Sequence, residues 1–253
     1  MVCGSDILGE VARSLRVRRG RARLRAVALI GIDGSGKTTQ AHRLAAALSA
    51  AGHPATYHRN AGGRRWLGRL AHRLGRTDAQ RLVGRDGLLA VESVLRWLAI
   101  ALALLSCLVT GRTAVMDRYA ACQYASIRAH GGQRWERLAR LGYRCFPAPE
   151  VTFLLAVDPV EAYRRIERRG TDHESMRWLT AAATAYRTLP EYGGFVVVDA
   201  NGSPEEVSRR IRAHLSEWFP GDPPVRPGPP PGGTGPPGGG ADRGGPVPAQ
   251  ARP

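Results

Sequence analysis

A glycine-rich turn between an apolar run and a helical pattern carries the clearest chemistry in this sequence. Gly31, Gly36, Lys37 and Thr38 satisfy the spacing G-x-x-x-x-G-K-[ST], which is typical of phosphate-binding loops that join a strand to a helix. Glycines let backbone N–H groups turn toward phosphate oxygens, and the N-terminal end of the following helix adds partial positive charge. Lys37 supplies a full charge, and the hydroxyl of Thr38 suits Mg²⁺. A glycine turn without any ligand is the alternative interpretation.

The distribution of basic residues supports a phosphate site at this loop. Lysine and arginine together number 37, and Lys37 is the only lysine. A compact ammonium fits between phosphates as a point charge, whereas a planar guanidinium is wider. We therefore predict that a nucleotide contacts the whole loop, which comprises Gly31, Ile32, Asp33, Gly34, Ser35, Gly36, Lys37, Thr38 and Thr39.

Two other predicted strands end in charged side chains. One ends in Asp117, Arg118 and Tyr119, and a shorter one ends near Arg59. In a parallel sheet beside a phosphate loop, an aspartate at this position can hold Mg²⁺ through water while the adjacent arginine faces an anionic substrate. The carboxyl edge of an open α/β sheet is where ligands bind, so Arg59 is a candidate as well. A surface ion pair and an ordinary turn are the structural alternatives.

An arginine cluster ends a later predicted helix and consists of Arg164, Arg165, Arg168 and Arg169. Cations at a helix C-terminus suit the helix dipole, which is the structural explanation. The functional alternative is a lid in which Arg165 and Arg169 close over the transferring phosphates, because planar cations match charge spread over phosphoryl oxygens. The polar residues 171–175 would form the closing loop.

Length and composition fit one catalytic domain, which we place at residues 25–219. The 253 residues are 43% hydrophobic, enough for one substantial core. A formal net charge of +16 invites a nucleic-acid interpretation. Aromatic residues are only 6%, which provides no obvious base-stacking platform. The almost exclusive use of arginine also indicates that part of the charge is compositional.

The two ends of the chain differ from this domain in composition. Residues 1–24 form a basic extension that we interpret as a solvated tail, with contact to nucleic acid or to an anionic membrane as alternatives. Residues 220–253 contain 22 Pro or Gly among 34 residues, too little apolar surface for a core, so we predict disorder. The four cysteines lack zinc-like spacing and the N-terminus is polar, so we expect free thiols and a cytoplasmic location.

The most apolar stretch, residues 88–109, requires a decision between a membrane helix and a helix of a folded domain. Glu92 and Arg96 interrupt it and leave only residues 97–109 without a charge. These 13 residues are fewer than the ~20 needed to span a bilayer. We therefore predict a buried or subunit-interface helix, with a membrane span as the alternative.

Taken in this order, the motifs resemble the thymidylate kinase family of nucleoside monophosphate kinases across about residues 25–218. The strand and loop around Lys37 look like the family's ATP loop, and Asp117-Arg118-Tyr119 looks like its Asp-Arg-aromatic motif. The resemblance implies an α/β, three-layer P-loop kinase fold with a five-stranded parallel sheet flanked by helices. It also implies ATP and Mg²⁺ as cofactors, a nucleoside monophosphate as substrate, and usually a homodimer. Further agreement lies in Arg59, Gly62, Gly63, Arg165, Arg169 and Tyr186.

Residue roles follow from these positions. Lys37, Asp117, Arg118 and Arg169 are the predicted catalytic residues, and Thr38 with Asp117 would hold Mg²⁺. The loop and Arg165 would bind ATP. The predicted contacts to the substrate are Asp33, Arg59, Arg118 and Tyr119.

Departures from the family pattern concern the acceptor rather than the phosphate loop. The family's second motif usually reads Arg-Glu-Pro-Gly-Gly, whereas Asn60 follows Arg59 here, so a carboxylate is missing. Our alignment puts Ala90 and Val94 where the family usually carries a Phe that stacks on thymine and an Arg that contacts the base. The sequence therefore leaves the identity of the base open.

The function predicted from the sequence is ATP-dependent phosphorylation of a nucleoside monophosphate, dTMP first. A P-loop kinase for another small acceptor, such as a modified nucleotide, is the second hypothesis because the base-contact positions differ. The third hypothesis is an ATP-binding regulatory protein whose basic arm engages nucleic acid.

Overall fold

A parallel five-stranded sheet forms the centre of the structure, a computed structural model that describes residues 24–60, 79–170 and 174–219. The strand order is β2-β3-β1-β4-β5, and every neighbouring pair is parallel. The strands are β1 (Ala26–Ile30), β2 (Ala55–Arg59), β3 (Thr113–Asp117), β4 (Val151–Ala156) and β5 (Val196–Asp199). The predicted α/β fold with a five-stranded parallel sheet is confirmed.

Seven α-helices accompany the strands in the part of the chain that the structure describes. They are α1 (Lys37–Ala50), α2 (Ala79–Thr110), α3 (Ala120–Ala129), α4 (Gln133–Tyr143), α5 (Pro159–Arg169), α6 (Met176–Arg187) and α7 (Pro204–Ala213). Helix α1 packs beside α7, and α3 packs against both α4 and α6. Helices on the faces of a parallel sheet bury its strands, which explains why β1 and β3 are buried along their whole length.

Local sequence signals set several helix boundaries. Asp158 caps α5, because its carboxylate accepts a hydrogen bond from the backbone N–H of Val160 at 2.7 Å, and Pro159 occupies the first turn. Ser203 and Glu206 form a capping box at the start of α7. Because β1, β4 and β5 run parallel, the loops that carry these caps lie at the same edge of the sheet as the phosphate loop.

Helix α2 has two unlike faces. Glu92, Arg96 and Ile100 are buried against the domain, whereas Val94 and Leu102 are exposed to 58% and 66%. The segment Leu89–Thr110 has a mean hydropathy of 2.0 and is the one helix, within the described ranges, long and apolar enough to span a membrane. Only 22% of its most apolar window is buried. One face of this helix is therefore buried in the domain and the other is exposed. For the exposed face, the prediction of a buried or subunit-interface helix stays a prediction.

Other predictions meet the described residues only in part. Cys107, Cys122 and Cys145 are free thiols, as predicted. The basic extension, the Pro/Gly-rich tail, Gly62 with Gly63, and most of the lid loop lie outside the described residues, so the predictions made for them stay predictions.

Candidate active site

The glycine-rich loop after β1 is held in a conformation that side chains would obstruct. Gly34 has φ 83°, and a Cβ atom there would lie 2.5 Å from the carbonyl oxygen of Ala162. Gly31 has φ 142°, and its Cβ would lie 2.7 Å from the carbonyl oxygen of Leu155. Gly36 adopts φ 87° as the residue before α1. The glycines thus allow the loop to pass close to β4 and α5 and to enter α1.

Lys37 begins α1 and turns back over this loop. Its side chain is only 5% exposed. It donates to the carbonyl oxygen of Ile32 at 2.5 Å and lies 3.4 Å from the Ser35 hydroxyl and 3.6 Å from an oxygen of Asp33. Burial and the nearby guanidinium of Arg118 lower the pKa of Lys37. A buried cation surrounded by loop atoms is suited to phosphate charge.

Asp117, at the end of β3, faces the first turn of α1. The hydroxyl of Thr38 donates to its Oδ2 at 2.6 Å, and the hydroxyl of Tyr57 donates to the same oxygen at 3.3 Å. The pKa of Tyr57 is raised to about 12, mainly by burial and next by the negative charge of Asp117. The hydroxyl is therefore protonated and remains a hydrogen-bond donor at neutral pH. The other carboxylate oxygen, Oδ1, is buried and has no hydrogen-bond partner among the described residues. Thr39, the next residue of α1, is exposed.

Arg118 is held across the cleft from the loop. Its guanidinium forms an ion pair with Asp33, and this carboxylate, the largest influence, raises the pKa of Arg118 above its ordinary value. Arg118 also has φ 79°, the only positive φ of a non-glycine residue among the described residues. Backbone conformations of this kind persist where surrounding contacts enforce them, and they concentrate at functional sites.

Asn60 supplies one of the contacts that enforce this backbone conformation. Its side-chain amide donates to the carbonyl oxygen of Arg118 at 2.7 Å, and its backbone N–H donates to the carbonyl oxygen of Asp117 at 3.0 Å. The backbone N–H of Arg118 donates to the carbonyl oxygen of Leu29 at 3.0 Å. Sequence reasoning treated Asn60 only as a lost carboxylate, but the structure gives it a direct role in shaping the turn at Arg118.

Two tyrosines take different positions around the cleft. The hydroxyl of Tyr186 donates to the carbonyl oxygen of Gly31 at 3.2 Å, and burial together with Cys122 raises its pKa well above the ordinary value. Tyr119, a predicted substrate contact, is buried and donates its hydroxyl to the carbonyl oxygen of Pro147 at 2.6 Å. The hydroxyl of Tyr119 is therefore satisfied within the protein.

The predicted lid arginines lie at the end of α5. Arg165 pairs with Glu161 at 2.9 Å and donates to the carbonyl oxygens of Ala200 and Asn201, each at 2.9 Å. These bonds tie α5 to the segment after β5. Arg169 is exposed in the last turn of the helix. The structure does not bring these two arginines into the cluster around Lys37.

The residues that the alignment placed at substrate-contact positions do not lie together in the structure. Arg59 is exposed at the end of β2. Ala90 and Val94, aligned with the base-contact positions, lie on the outer face of α2 and line an apolar groove against α4. The buried face of the same helix presents Arg96 instead, which is 2% exposed.

Arg96 belongs to a buried polar trio that sequence reasoning missed. It pairs with Glu92 at 2.9 Å and donates to the side-chain oxygen of Gln123 at 2.7 Å. Nε of Arg96 and Nε2 of Gln123 have no hydrogen-bond partner among the described residues. The available signal was the pair of charges spaced i, i+4 inside an apolar stretch, which places both on one helix face.

The strand order and the loop geometry define a P-loop nucleotide-binding protein, and comparison with known proteins narrows this class. The sequence profile described as thymidylate kinase matches residues 30–211. A thymidylate kinase of Xanthomonas euvesicatoria pv. vesicatoria is 31% identical over 208 residues, which cover 78% of this chain and 87% of that protein. A thymidylate kinase of Deinococcus radiodurans is 31% identical over 202 residues, 76% of this chain and 96% of that protein.

A third relative matches over a shorter region. A protein of Methanosarcina acetivorans named "Probable thymidylate kinase" is 32% identical over 111 residues, which cover 40% of this chain and 53% of that protein. The profile match spans most of the chain, and two of these relatives align over more than four-fifths of their own length. The chain belongs to the thymidylate kinase family.

Proposed function

We propose that this protein transfers the γ-phosphoryl group of ATP to dTMP and so forms dTDP and ADP. Membership of the thymidylate kinase family supports this activity, and neither the alternative acceptor nor the regulatory ATP-binding protein is favoured. The structural observation that carries the proposal is the convergence of Lys37, Asp117 and Arg118 on one cleft beside the glycine-rich loop. Two cations and a carboxylate at the carboxyl edge of a parallel sheet suit phosphoryl transfer.

On the donor side, the backbone N–H groups of the loop and the ammonium of Lys37 would bind the phosphates of ATP. Lys37 now donates to the carbonyl oxygen of Ile32, and a phosphate oxygen is the stronger acceptor because it is charged. If a phosphate oxygen replaced the carbonyl oxygen of Ile32 as the acceptor, the ammonium of Lys37 would keep a hydrogen bond. We expect Lys37 to stabilise the negative charge that builds on the transferring group.

Asp117 and Thr38 are the residues that fit Mg²⁺. A hydroxyl and a carboxylate provide the hard oxygen atoms that this ion prefers, directly or through water. Oδ1 of Asp117 is buried without a partner among the described residues, and an unpaired buried carboxylate oxygen is costly. Mg²⁺ held by these two residues would supply positive charge that offsets the charge of the phosphates during transfer. The remaining contributions come from the protein side chains.

Arg118 would bind the phosphate of the acceptor. Its partner in the structure is Asp33, and a phosphate dianion offers the guanidinium a stronger bidentate partner. The second pKa of such a phosphate is near 6, so the acceptor is already largely ionised at neutral pH. One of its oxygens attacks the γ-phosphorus as the bond to the β–γ bridging oxygen breaks, and no protein base is required. Asp33, released from Arg118, would contact the sugar.

For the base, we infer a position beside Arg96 and Gln123. A guanidinium only donates hydrogen bonds, so the oxygen of the Gln123 amide must face Arg96 and the NH₂ group must face away. Nε of Arg96 and the NH₂ group of Gln123 are the two groups without a partner among the described residues. Both are donors and suit a carbonyl oxygen such as O4 of thymine. We expect Gln123→Glu to lower kcat/KM for dTMP about fivefold, the value of roughly one hydrogen bond, and to raise the ratio of dCMP to dTMP turnover. An unchanged ratio would argue against this position of the base.

The direct test of the function measures ADP formation with dTMP, thymidine, dUMP and dCMP at saturating Mg²⁺·ATP. We expect dTMP to be phosphorylated far better than thymidine. Arg118→Ala should reduce kcat/KM for dTMP by at least about tenfold, because a charge-assisted contact is worth roughly 1.5 to 3 kcal/mol. Arg43→Ala is the control, since Arg43 forms a surface pair with Glu205. A preference for thymidine, or indifference to loss of Arg118, would contradict the proposal.

We further propose that the exposed faces of α2 and α4 form a homodimer interface, as the family resemblance implies. These faces carry nine of the ten large hydrophobic side chains found exposed in the described ranges, and they enclose an apolar groove of about 450 Å³. Apolar surface of this extent commonly marks a protein interface. The nine are Val94, Leu98, Leu102, Leu105, Leu108, Val109, Trp135, Leu138 and Leu141.

Light scattering during size-exclusion chromatography tests the interface. We expect a dimer for the unmodified protein and a monomer for the variant that combines Leu102→Glu and Leu105→Glu. Val160→Glu is the matched control, because this exposed valine lies on α5 away from that surface. A monomeric unmodified protein that sediments with anionic vesicles would favour membrane contact instead. The predicted cytoplasmic location stays a prediction.

A further inference from the structure

Tyr57 lies on the edge strand β2, yet its hydroxyl reaches the carboxylate at the end of β3. It donates to Oδ2 of Asp117 at 3.3 Å, and the hydroxyl of Thr38 donates to the same oxygen at 2.6 Å. Oδ1 is buried and receives no bond from any described residue. The two donors therefore distinguish two oxygen atoms that are otherwise chemically equivalent.

The ring of Tyr57 is itself held by α1. The imidazole of His42 stacks on it, with ring centroids 3.6 Å apart and an angle of 23° between the planes. His42 follows Thr38 by four residues on α1, so both side chains project from the same face of the helix. One helix face thus orients Asp117 twice, directly through Thr38 and indirectly through the stacked tyrosine.

We propose that Tyr57 is a positioning residue that fixes the rotation of the Asp117 carboxylate so that Oδ1 faces Mg²⁺ or its bound water. A partial rotation about the last side-chain bond of Asp117 would move Oδ2 away from both donors, break the two hydrogen bonds and turn the free oxygen out of its position. His42 supports this role by limiting the movement of the phenol ring. The inference rests on the proposed function for the presence of Mg²⁺, but its geometry concerns only Tyr57, His42, Thr38 and Asp117.

Loss of a group that orients a metal ligand typically lowers metal affinity tenfold to a hundredfold. The bond from Tyr57 is long at 3.3 Å, and Thr38 remains as a second donor. We therefore expect an effect near the lower limit, roughly threefold to tenfold, for Tyr57→Phe. This substitution removes the hydroxyl and keeps the ring that His42 contacts.

The first measurement follows Mn²⁺ binding to the ADP-saturated protein by the electron paramagnetic resonance signal of free Mn²⁺, with ADP alone as the reference. We expect Tyr57→Phe to weaken Mn²⁺ binding roughly threefold to tenfold and Asp117→Asn to weaken it further. Tyr192→Phe is the matched control, because Tyr192 packs against Phe195 in a short 3₁₀ segment away from the cleft. It should leave Mn²⁺ affinity unchanged.

The second measurement is the Mg²⁺ concentration for half-maximal phosphorylation of dTMP. Tyr57→Phe should raise it, leave KM for dTMP within about twofold, and regain most of kcat at saturating Mg²⁺. A merely structural role would instead lower kcat at every Mg²⁺ concentration and lower the melting temperature. If Tyr57→Phe does not fold, His42→Ala provides the test, since it keeps the hydroxyl but frees the ring and should weaken Mn²⁺ binding to a smaller extent.

The outcomes separate this inference from the proposed function. Unchanged Mn²⁺ affinity in Tyr57→Phe, in an enzyme that phosphorylates dTMP, would overturn the inference and leave the function standing. Weakened Mn²⁺ binding without dTMP phosphorylation would overturn the function and support the role of Tyr57, because this measurement requires no acceptor.

Discussion

The donor and acceptor sides of the cleft are built in different ways. The donor side is a single segment in which consecutive residues from Gly31 to Thr39 form the loop and the first turn of α1. The proposed acceptor side would draw on Arg118, Asn60 and Arg96, which come from the ends of β3 and β2 and from the buried face of α2. The first depends on backbone conformation, and the second depends on side-chain hydrogen bonds between distant elements.

This difference explains where the chain keeps its family pattern and where it departs from it. A loop that binds through backbone N–H groups tolerates few residue types, because a Cβ atom at Gly31 or Gly34 would overlap a neighbouring carbonyl oxygen. Side-chain contacts between elements have more than one solution. Asn60, for example, holds the carbonyl oxygen of Arg118 with an amide at a position where the family usually has a glutamate.

The largest effect is expected from the donor side, at Lys37. Lys37→Ala should lower kcat at least tenfold to a hundredfold, because a charged contact to phosphate is worth roughly 1.5 to 3 kcal/mol. The melting temperature should change little, since the ammonium acts on phosphate rather than on the core. Lys37→Arg keeps the charge but is wider and should also lose activity. Unchanged turnover in Lys37→Ala would remove the donor-side assignment.

A second prediction separates steric overlap from backbone preference within the loop. Gly34→Ala should lower the free energy of unfolding by about 1 to 3 kcal/mol, because its Cβ would lie 2.5 Å from the carbonyl oxygen of Ala162. Gly36→Ala should cost about 1 kcal/mol, since its φ is also positive but the surrounding space is open. Urea unfolding of both variants measures the difference. Equal losses would show that close packing against α5 does not constrain the loop.

A third prediction concerns the acceptor side, at Asn60. Asn60→Ala removes the hydrogen bond to the carbonyl oxygen of Arg118 and should raise KM for dTMP about fivefold, the value of roughly 1 kcal/mol. KM for ATP should stay unchanged. Asn60→Asp keeps the shape but loses the donor, so it should show at least the same loss. An equal rise in both KM values would contradict the separation of the two sides.

The smallest effect is expected outside both sides of the cleft. Removal of residues 220–253 should leave kcat and the melting temperature nearly unchanged, because 22 of these 34 residues are Pro or Gly and offer little apolar surface for packing. Calorimetry and a standard turnover assay measure both quantities. A marked fall in the melting temperature would show that the segment packs on the domain.

Sequence alone was sufficient for the fold and for the position of the glycine-rich loop between β1 and α1. Apolar runs, capping residues and glycines act over a few positions, so the strand and the helix on either side of the loop at Lys37 were predicted near their observed positions. The end of β3 at Asp117 was predicted for the same reason. The sequence also singled out the charges of α2, but only as interruptions of an apolar stretch.

The tertiary structure decided which side chains of distant elements meet. It turned Arg96 inward and Val94 outward, joined Asn60 to Arg118, and brought Tyr57 to Asp117. These orientations and contacts are not set by neighbouring residues in the sequence, because each depends on the rotation of a helix or on the register of a strand. A motif can be recognised in the sequence when neighbouring residues act through their backbone. A contact between side chains of separate elements forms only when those elements pack together.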